Sequence, residues 1–399
     1  GEKKRGRSRP GWVRWFRGAL FLVMLANVGF NVVRDQRDST SRAPTSTIVL
    51  PPDRIVERPG DLTSTTTEGL DIPTTSSPTI GATDIGSMEE SWAANRAAIV
   101  ARIKAEGYGI NDDNVLIGPA GFEIDLDDCP ADWSNTEGLD DSIPIGHTTA
   151  LSGSLAAYGT LSAGMVAYFD YVNDTGGIGG LPIELTIRDD GYETQQTITV
   201  VDELLASDTP FAIQTLGSPN SLAVYDTLND NCVPHPLTIS GHPAWGDPIG
   251  HPWTTGQQMS FATEALLWVT WIQDNMADQL PVTVAGLVMD NEFGLIYEDS
   301  MTTYAEEFPD IIAEFIVVRH DPAAPILDDE MASIAAVNPD VFISMTAGFS
   351  CFLAIDGAAE SGLTASGATL FTPSVCQDPN AYMIPARDAG DGFLVVVGG

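Results

Sequence analysis

The chain has 399 residues, enough for two or three domains with well-buried cores, and carries a formal net charge of −37. Residues 1–58 hold 12 of the 18 Lys and Arg, so the rest of the chain sets 6 basic side chains against 50 acidic ones. A body this acidic repels phosphate backbones, which excludes nucleic acid as a partner.

The N-terminus opens on the basic run KKRGRSR, followed by an apolar stretch from Trp12 to Val33 interrupted by Asn27 and Asn31. That stretch is short for a clean membrane span and fits a signal-peptide core or a signal anchor, giving a segment 1–38 that tethers the protein to the membrane if uncleaved. Positive residues on its leading side place the body outside the cytoplasm, at the cell surface or secreted. Residues 39–87 are rich in Thr, Ser and Pro and read as an extended stalk. Residues 88–141 come next as an N-terminal extension, a helix over SWAANRAAIVARIKAEG and then an acidic loop around Cys129.

From Ile143 the chain alternates short apolar strands with helical patterns. Strands are predicted at 143–147, 183–187, 211–215, 236–240, 282–289, 312–318, 341–345, 368–372 and 393–397. Helices are predicted at 155–174, 193–207, 220–229, 260–277, 296–308, 329–337 and 350–361. Segments such as VTVAGLVM are continuously apolar, as expected of parallel strands covered on both faces, so the fold class is doubly wound α/β. The first strand feeds a Ser/Gly-rich turn and then a helix with Leu155, Tyr158, Leu161, Met165, Tyr168, Phe169 and Val172 at helical spacing, which predicts one buried stripe. A polar turn at the carboxyl end of such a strand is where open α/β proteins hold ligands.

The Pro/Gly/Trp-rich segment 241–256 interrupts the alternation, and the passage at Thr254–Gly256 divides a first lobe, 142–255, from a second, 256–390. The four cysteines, an even number in an exported chain, favour disulfides. The expected pairs are Cys129 with Cys232, and Cys351 with Cys376, the latter because both follow consecutive strands at one sheet edge. The chain stops directly after the apolar strand GFLVVV, which suggests that the natural protein continues.

In order and spacing, IGHTTALSGSLAAYG, FDYVNDTGGIGGLPIELTIRDDGYE, FAIQTLGSPNSLA and VAGLVMDNEFG resemble the type I periplasmic binding proteins, in particular the leucine and branched-chain amino-acid receptors of ABC importers. The resemblance covers residues 143–397. It implies two Rossmann-like lobes joined by a hinge and closing over a solute. It also implies that residues 391–399 begin a return to the first lobe, whose C-terminal part is missing here.

The resemblance further implies a ligand site. Ser218 and Asn220, at a helix N-terminus with Pro219 just inside, match the place where the family holds a ligand carboxylate, and free N–H groups there favour an anion. Ser240, His242, Ala244 and Trp245 match the second contacting loop. Tyr158 matches an aromatic of the first lobe, Phe293 an aromatic closing from the second, and Thr346 and Ala347 a strand-end loop facing the cleft. Ser374 stands where amino-acid-binding members have an acid for the ligand ammonium. Asp290, Glu292 or Asp378 must replace that acid, or the ligand is not an α-amino acid, because a buried ammonium without a partner is costly.

Chemistry is not expected. The five histidines show no i,i+4 pair and no H-E-x-x-H motif, and no G-x-S-x-G elbow is present. The clusters Asp125-Asp127-Asp128 and Asp189-Asp190-Gly191 lack calcium-loop spacing and read as solvated acidic loops. No metal, cofactor or enzymatic activity is expected. The expected function is solute capture for an ABC permease in the membrane, of an amino acid, an amide or a related carboxylate. A sensor ectodomain, or a surface-assembly protein reusing the fold, is the alternative.

Overall fold

The computed structural model describes residues 85–130, 141–207 and 210–396. The predicted signal segment and all but the end of the stalk lie outside the described residues. Helix α1, Ile85–Ala105, is exposed along its described side chains. After it come β1 (Gly109–Ile110), β2 (Val115–Ile117) and β3 (Glu123–Asp125), a small antiparallel sheet that leads into the predicted acidic loop. A disulfide between Cys129 and Cys232 ties this extension to the first lobe.

The first lobe is built on a parallel sheet of β4 (Ile143–Thr149), β5 (Ile183–Asp189) and β6 (Ala212–Thr215), in the order β5-β4-β6. Its helices are α2 (Gly159–Asp174), α3 (Thr194–Ser207) and α4 (Ser218–Asp230). Val200, Val201 and Leu204 of α3 pack with Val224 and Leu228 of α4 around Ile213 of β6. A short pair, β7 (His235–Thr238) and β8 (Thr254–Gly256), lies beyond, β7 continuing past β6 through a bridge between Leu216 and Ile239.

The second lobe is a five-stranded parallel sheet of β9 (Val282–Met289), β10 (Ile312–His320), β11 (Val341–Met345), β12 (Thr369–Thr372) and β13 (Phe393–Val395), in the order β10-β9-β11-β12-β13. The unbroken apolar run of β9 has a structural cause. Val282, Val284 and Val288 join a core with α5 (Phe261–Asn275) and α6 (Glu292–Glu307), in which Trp268 stacks on Tyr297 with ring centroids 5.0 Å apart. Ala285 and Leu287 face the other way, against Met331 and Ile334 of α7 (Asp328–Ala336) and Ala354 and Ala358 of α8 (Phe349–Glu360). Apolar side chains are needed on both faces because both are covered.

Three expectations differ from the structure. The segment read as the start of a return to the first lobe is instead β13, whose Phe393, Leu394 and Val395 pair with Leu370, Phe371 and Thr372 of β12. The stripe predicted to be buried is only partly so, with Leu155 fully buried, Tyr158, Met165, Phe169 and Val172 half-buried, and Leu161 44% and Tyr168 42% exposed. Asp190 is no solvated loop residue. It is 1% exposed, and its carboxylate accepts hydrogen bonds from Thr148, Thr197 and the Tyr192 N–H.

The stacked Trp268 is wholly buried between its helix and the sheet. Trp268→Ala should cost about 3–5 kcal/mol, read as a lower urea midpoint with an unchanged m-value.

Candidate functional site

Both sheets are parallel, so their strand-end loops gather at one edge of each. In the first lobe the chain leaves β4 to one side for β5 and to the other for β6, so the crevice opens between the ends of β4 and β6. In the second lobe the same divergence occurs between β9 and β11. Ligands of open α/β sheets sit in such crevices. Here the crevices of the two lobes face one cavity of about 210 Å3.

From the first lobe the walls are Leu155 and Tyr158 after β4, Tyr192 after β5, Gly217 and Ser218 after β6, and Ser240 after β7. From the second they are Phe261, Phe293 after β9, Ala347 after β11, and Ser374, Val375 and Asp378 after β12, with Tyr382 beyond. Loop anchoring is local. Asp189 accepts from the N–H groups of Leu151 (2.9 Å), Ser152 (3.2 Å) and Gly191 (2.9 Å), strapping the loop after β4 to the loop after β5. Gly217 adopts φ +94°, and a Cβ there would overlap the Tyr192 ring. Only glycine lets that tyrosine lie over the start of α4.

At the N-terminus of α4, Ser218 Oγ lies 2.9 Å from Ser240 Oγ, and Ser240 Oγ also accepts from the His242 N–H at 3.1 Å. Of the two hydroxyl protons in this pair, one is spent between the serines, so one remains for an oxygen in the cavity. The lobes meet at Tyr158. Its hydroxyl accepts from the Gly348 N–H at 3.0 Å and donates to the Val375 carbonyl at 3.1 Å. The Phe349 N–H donates to the Ser154 carbonyl at 3.1 Å beside it. Burial pushes the Tyr158 phenol well above its ordinary range, so it stays protonated.

Of the residues singled out from the sequence, Tyr158, Ser218, Ser240, Phe293, Ala347 and Ser374 come together around the cavity. Asn220, His242, Ala244, Trp245 and Thr346 are not in its lining. Asn220 is 0% exposed within the first turn of α4, with both amide atoms unpartnered. His242 Nδ1 accepts from the Ala244 N–H, the Ala244 carbonyl accepts from Tyr225, and Trp245 packs edge-on against the Tyr225 ring. That loop is consumed by its own packing. The Thr346 hydroxyl is engaged with His320 Nε2 at 2.9 Å beneath the strand ends. Both expected disulfides are present, and Cys351–Cys376 joins the two second-lobe loops that receive Tyr158.

Tyr192 and Glu264 escaped the sequence reading. Glu264, in the first turn of α5, is 1% exposed. Its carboxylate accepts from Tyr297 (2.6 Å), the Ser374 N–H (2.6 Å) and the Ser374 hydroxyl (3.1 Å). Burial raises its pKa, and those three bonds oppose the rise. Of the acids named for an ammonium, Asp378 lines the cavity, but it already accepts from the Asn380 and Ala381 N–H groups, and Asp290 pairs with Arg319. Among the described residues, no group of three or more His, Cys, Asp or Glu is arranged to hold a metal.

Residues 142–398 match the model of the periplasmic binding protein family. The chain belongs to that family. Its fold is the type I periplasmic binding protein fold, as expected from the sequence. Similar solved structures include a fatty acid ABC transporter substrate-binding protein from Thermomonospora curvata, at 19% identity and TM-score 0.57, over 64% of this chain and 64% of that one. A solute-binding protein from Rhodopseudomonas palustris BisB5 in complex with 3,4-dihydroxybenzoic acid gives 19% and 0.53, over 63% and 66%. A possible leucine/isoleucine/valine-binding protein from Rhodopirellula baltica SH 1 gives 15% and 0.55, over 64% and 68%. The chain thus spans just under two thirds of the length of the first two. No curated protein matches it.

Two measurements check this geometry. Gly348 has φ +63°, and a Cβ on it would lie 2.8 Å from Leu155 Cγ and 3.0 Å from the Ser154 carbonyl, so Gly348→Ala should part the lobes. Small-angle scattering should show a larger radius of gyration with an unchanged far-UV spectrum. Near β7, burial lowers His235 to about 3 and His242 to about 4, from a usual 6.5. A depressed histidine stabilises fully above the unfolded pKa, and that stability is lost as pH falls from 6.5 towards 3. The melting temperature of His235→Gln should therefore fall less steeply than that of wild type between pH 7 and about 4.

Proposed function

We propose that this periplasmic binding protein captures a small carboxylate-bearing solute with an apolar body between its lobes and presents it to the permease of an ABC importer. The observation that carries this reading is the proton count at Ser218 and Ser240. With one hydroxyl proton free at a helix N-terminus, the site offers donors and a positive dipole end to an anion, with no Lys or Arg among its lining residues. The opposite wall carries rings and an aliphatic side chain, Phe261, Phe293 and Val375 among them, with Leu155 beside the serines. An engineered apolar cavity of ~150 Å3 takes benzene, so a space of this order suits a substituted ring or a short branched chain.

An α-amino acid fits less well than a simple carboxylate. Its ammonium would lie beside its carboxylate, and the carboxylate that lines the same cavity, Asp378, already accepts two backbone N–H bonds at one of its oxygens. The neighbours that hold a dihydroxybenzoic acid or are fatty-acid transporter proteins support an acid with an apolar body. Hinge closure is the mechanism: solute bound at the first lobe is covered by Phe293 and the loops after β11 and β12, and the closed form is the one the permease meets. No covalent step is involved. The basic, apolar N-terminus supports export, to the cell surface when it is retained as an anchor or as a secreted protein when it is cleaved.

The test is a thermal-shift and native-mass screen of purified protein against benzoates, short fatty acids, amides and amino acids. An acid should raise the melting temperature of the wild type. Ser218→Ala should weaken it by tenfold or more, since a hydrogen bond to a charged group contributes about 1.5–3 kcal/mol. A folded sample that retains none of these compounds would remove the reading.

A further inference from the structure

The loop after β12 faces the cavity with a serine whose proton is already committed. Ser374 donates both its N–H (2.6 Å) and its hydroxyl (3.1 Å) to the two oxygens of Glu264. A serine hydroxyl has one proton and two acceptor lone pairs. With that proton held by the carboxylate, Ser374 has only lone pairs to turn towards the cavity, and among the described residues no donor occupies them.

Glu264 is well fixed for this. It is on the second lobe's own helix α5, 1% exposed, and its Oε2, which receives the Ser374 hydroxyl, also accepts from the Tyr297 hydroxyl at 2.6 Å, itself buried in the core beneath Trp268. A buried carboxylate with three short donor contacts has no free orientation, and the polarity of Ser374 inherits that rigidity.

We propose that Glu264 is a positioning residue that makes Ser374 an obligate hydrogen-bond acceptor, so that the site selects acids carrying an O–H or N–H donor on the end remote from the carboxylate. This rests on the solute-capture reading and deepens it. The first lobe, through Ser218 and Ser240, is left with a donor, and the second lobe with an acceptor, so the cavity is polarised along its length. The complementary solute has an oxygen acceptor at one end, an apolar middle and a neutral donor at the other. A hydroxylated aromatic acid has that form. The charge of Glu264 itself stays behind Ser374, screened from the solute by the serine and by Tyr297.

The probes are benzoate, 3- and 4-hydroxybenzoate, the matching fluorobenzoates, which keep the size and lack the donor, and 4-formylbenzoate, which offers only an acceptor. Titration calorimetry on the wild type should find one hydroxybenzoate tenfold or more tighter than its fluoro partner. In Glu264→Gln the amide nitrogen donates to Ser374, whose proton then turns into the cavity. The hydroxyl preference should fall to within about twofold, benzoate should bind as before, and 4-formylbenzoate should gain affinity. Mere damage to packing would weaken every probe and raise none. Should Glu264→Gln fail to fold, Ser374→Ala is the second variant, in which the hydroxybenzoate should weaken far more than benzoate and the hydroxyl preference should be lost. Benzoate binding without any hydroxyl preference in the wild type, or a wild-type ratio in folded Glu264→Gln or in Ser374→Ala, overturns the inference alone. If no acid binds the wild type, the solute-capture reading falls and takes this inference with it.

Discussion

Two parallel sheets meet at the hydroxyl of Tyr158, which, with the bond from the Phe349 N–H to the Ser154 carbonyl beside it, holds the walls of the cavity together. Tyr158 uses its proton on the Val375 carbonyl and a lone pair on the Gly348 N–H, so both second-lobe loops are gripped by one first-lobe side chain. The disulfide Cys351–Cys376 keeps those two loops together, with both sulfurs turned to the Thr346 carbonyl. Gly348 is what allows the backbones to approach: its positive φ and its missing Cβ are both needed beside Ser154 and Leu155. Because the hydroxyl of Tyr158 is spent on the protein, the residue offers the cavity its ring face and not a polar handle.

Much of this was legible because parallel strands need apolar residues on both faces. VTVAGLVM could be placed at 282–289 to the residue, since its apolar side chains are covered by one helix layer or the other. Periodicity was less informative for α2. It identifies which residues share a helix face, while burial depends on what lies across from that face, and Leu161 and Tyr168 stay exposed there. The strand Phe393–Val395 was visible as a strand, but its partner was not, because an apolar run of that length carries no register information of its own. The turns from Ser374 to Gly390 have no period at all and are set by contact with α8.

The site divides along the same line. Ser218, Ser240, Phe293, Ala347 and Ser374 follow strands directly, so the order of strands places them at the cavity. His242 and Trp245 lie only slightly farther along their loop, yet ring packing on Tyr225 turns the loop into the lobe's own core. Tyr192 was hidden in an acidic stretch that reads as surface, and its position depends on Asp190 being buried under three donors. Glu264 was the hardest to see. It lies 110 residues from the serine it holds, inside an amphipathic helix, where no local pattern distinguishes a paired carboxylate from an exposed one.

Charge explains why recognition at this site has to be so local. The body beyond residue 58 carries 6 basic and 50 acidic side chains, so its long-range field disfavours an approaching anion. That field is screened over about 8 Å at physiological ionic strength, whereas hydrogen bonds from a helix N-terminus and a serine pair act at about 3 Å inside a space with little water. A lysine or arginine in the cavity would bind any anion and would specify little about the rest of the molecule. Neutral hydroxyls whose protons are already assigned by their neighbours bind more weakly, but each one tests a single donor or acceptor on the solute. Under the proposed capture of an acid, that arrangement places discrimination where the lobes meet.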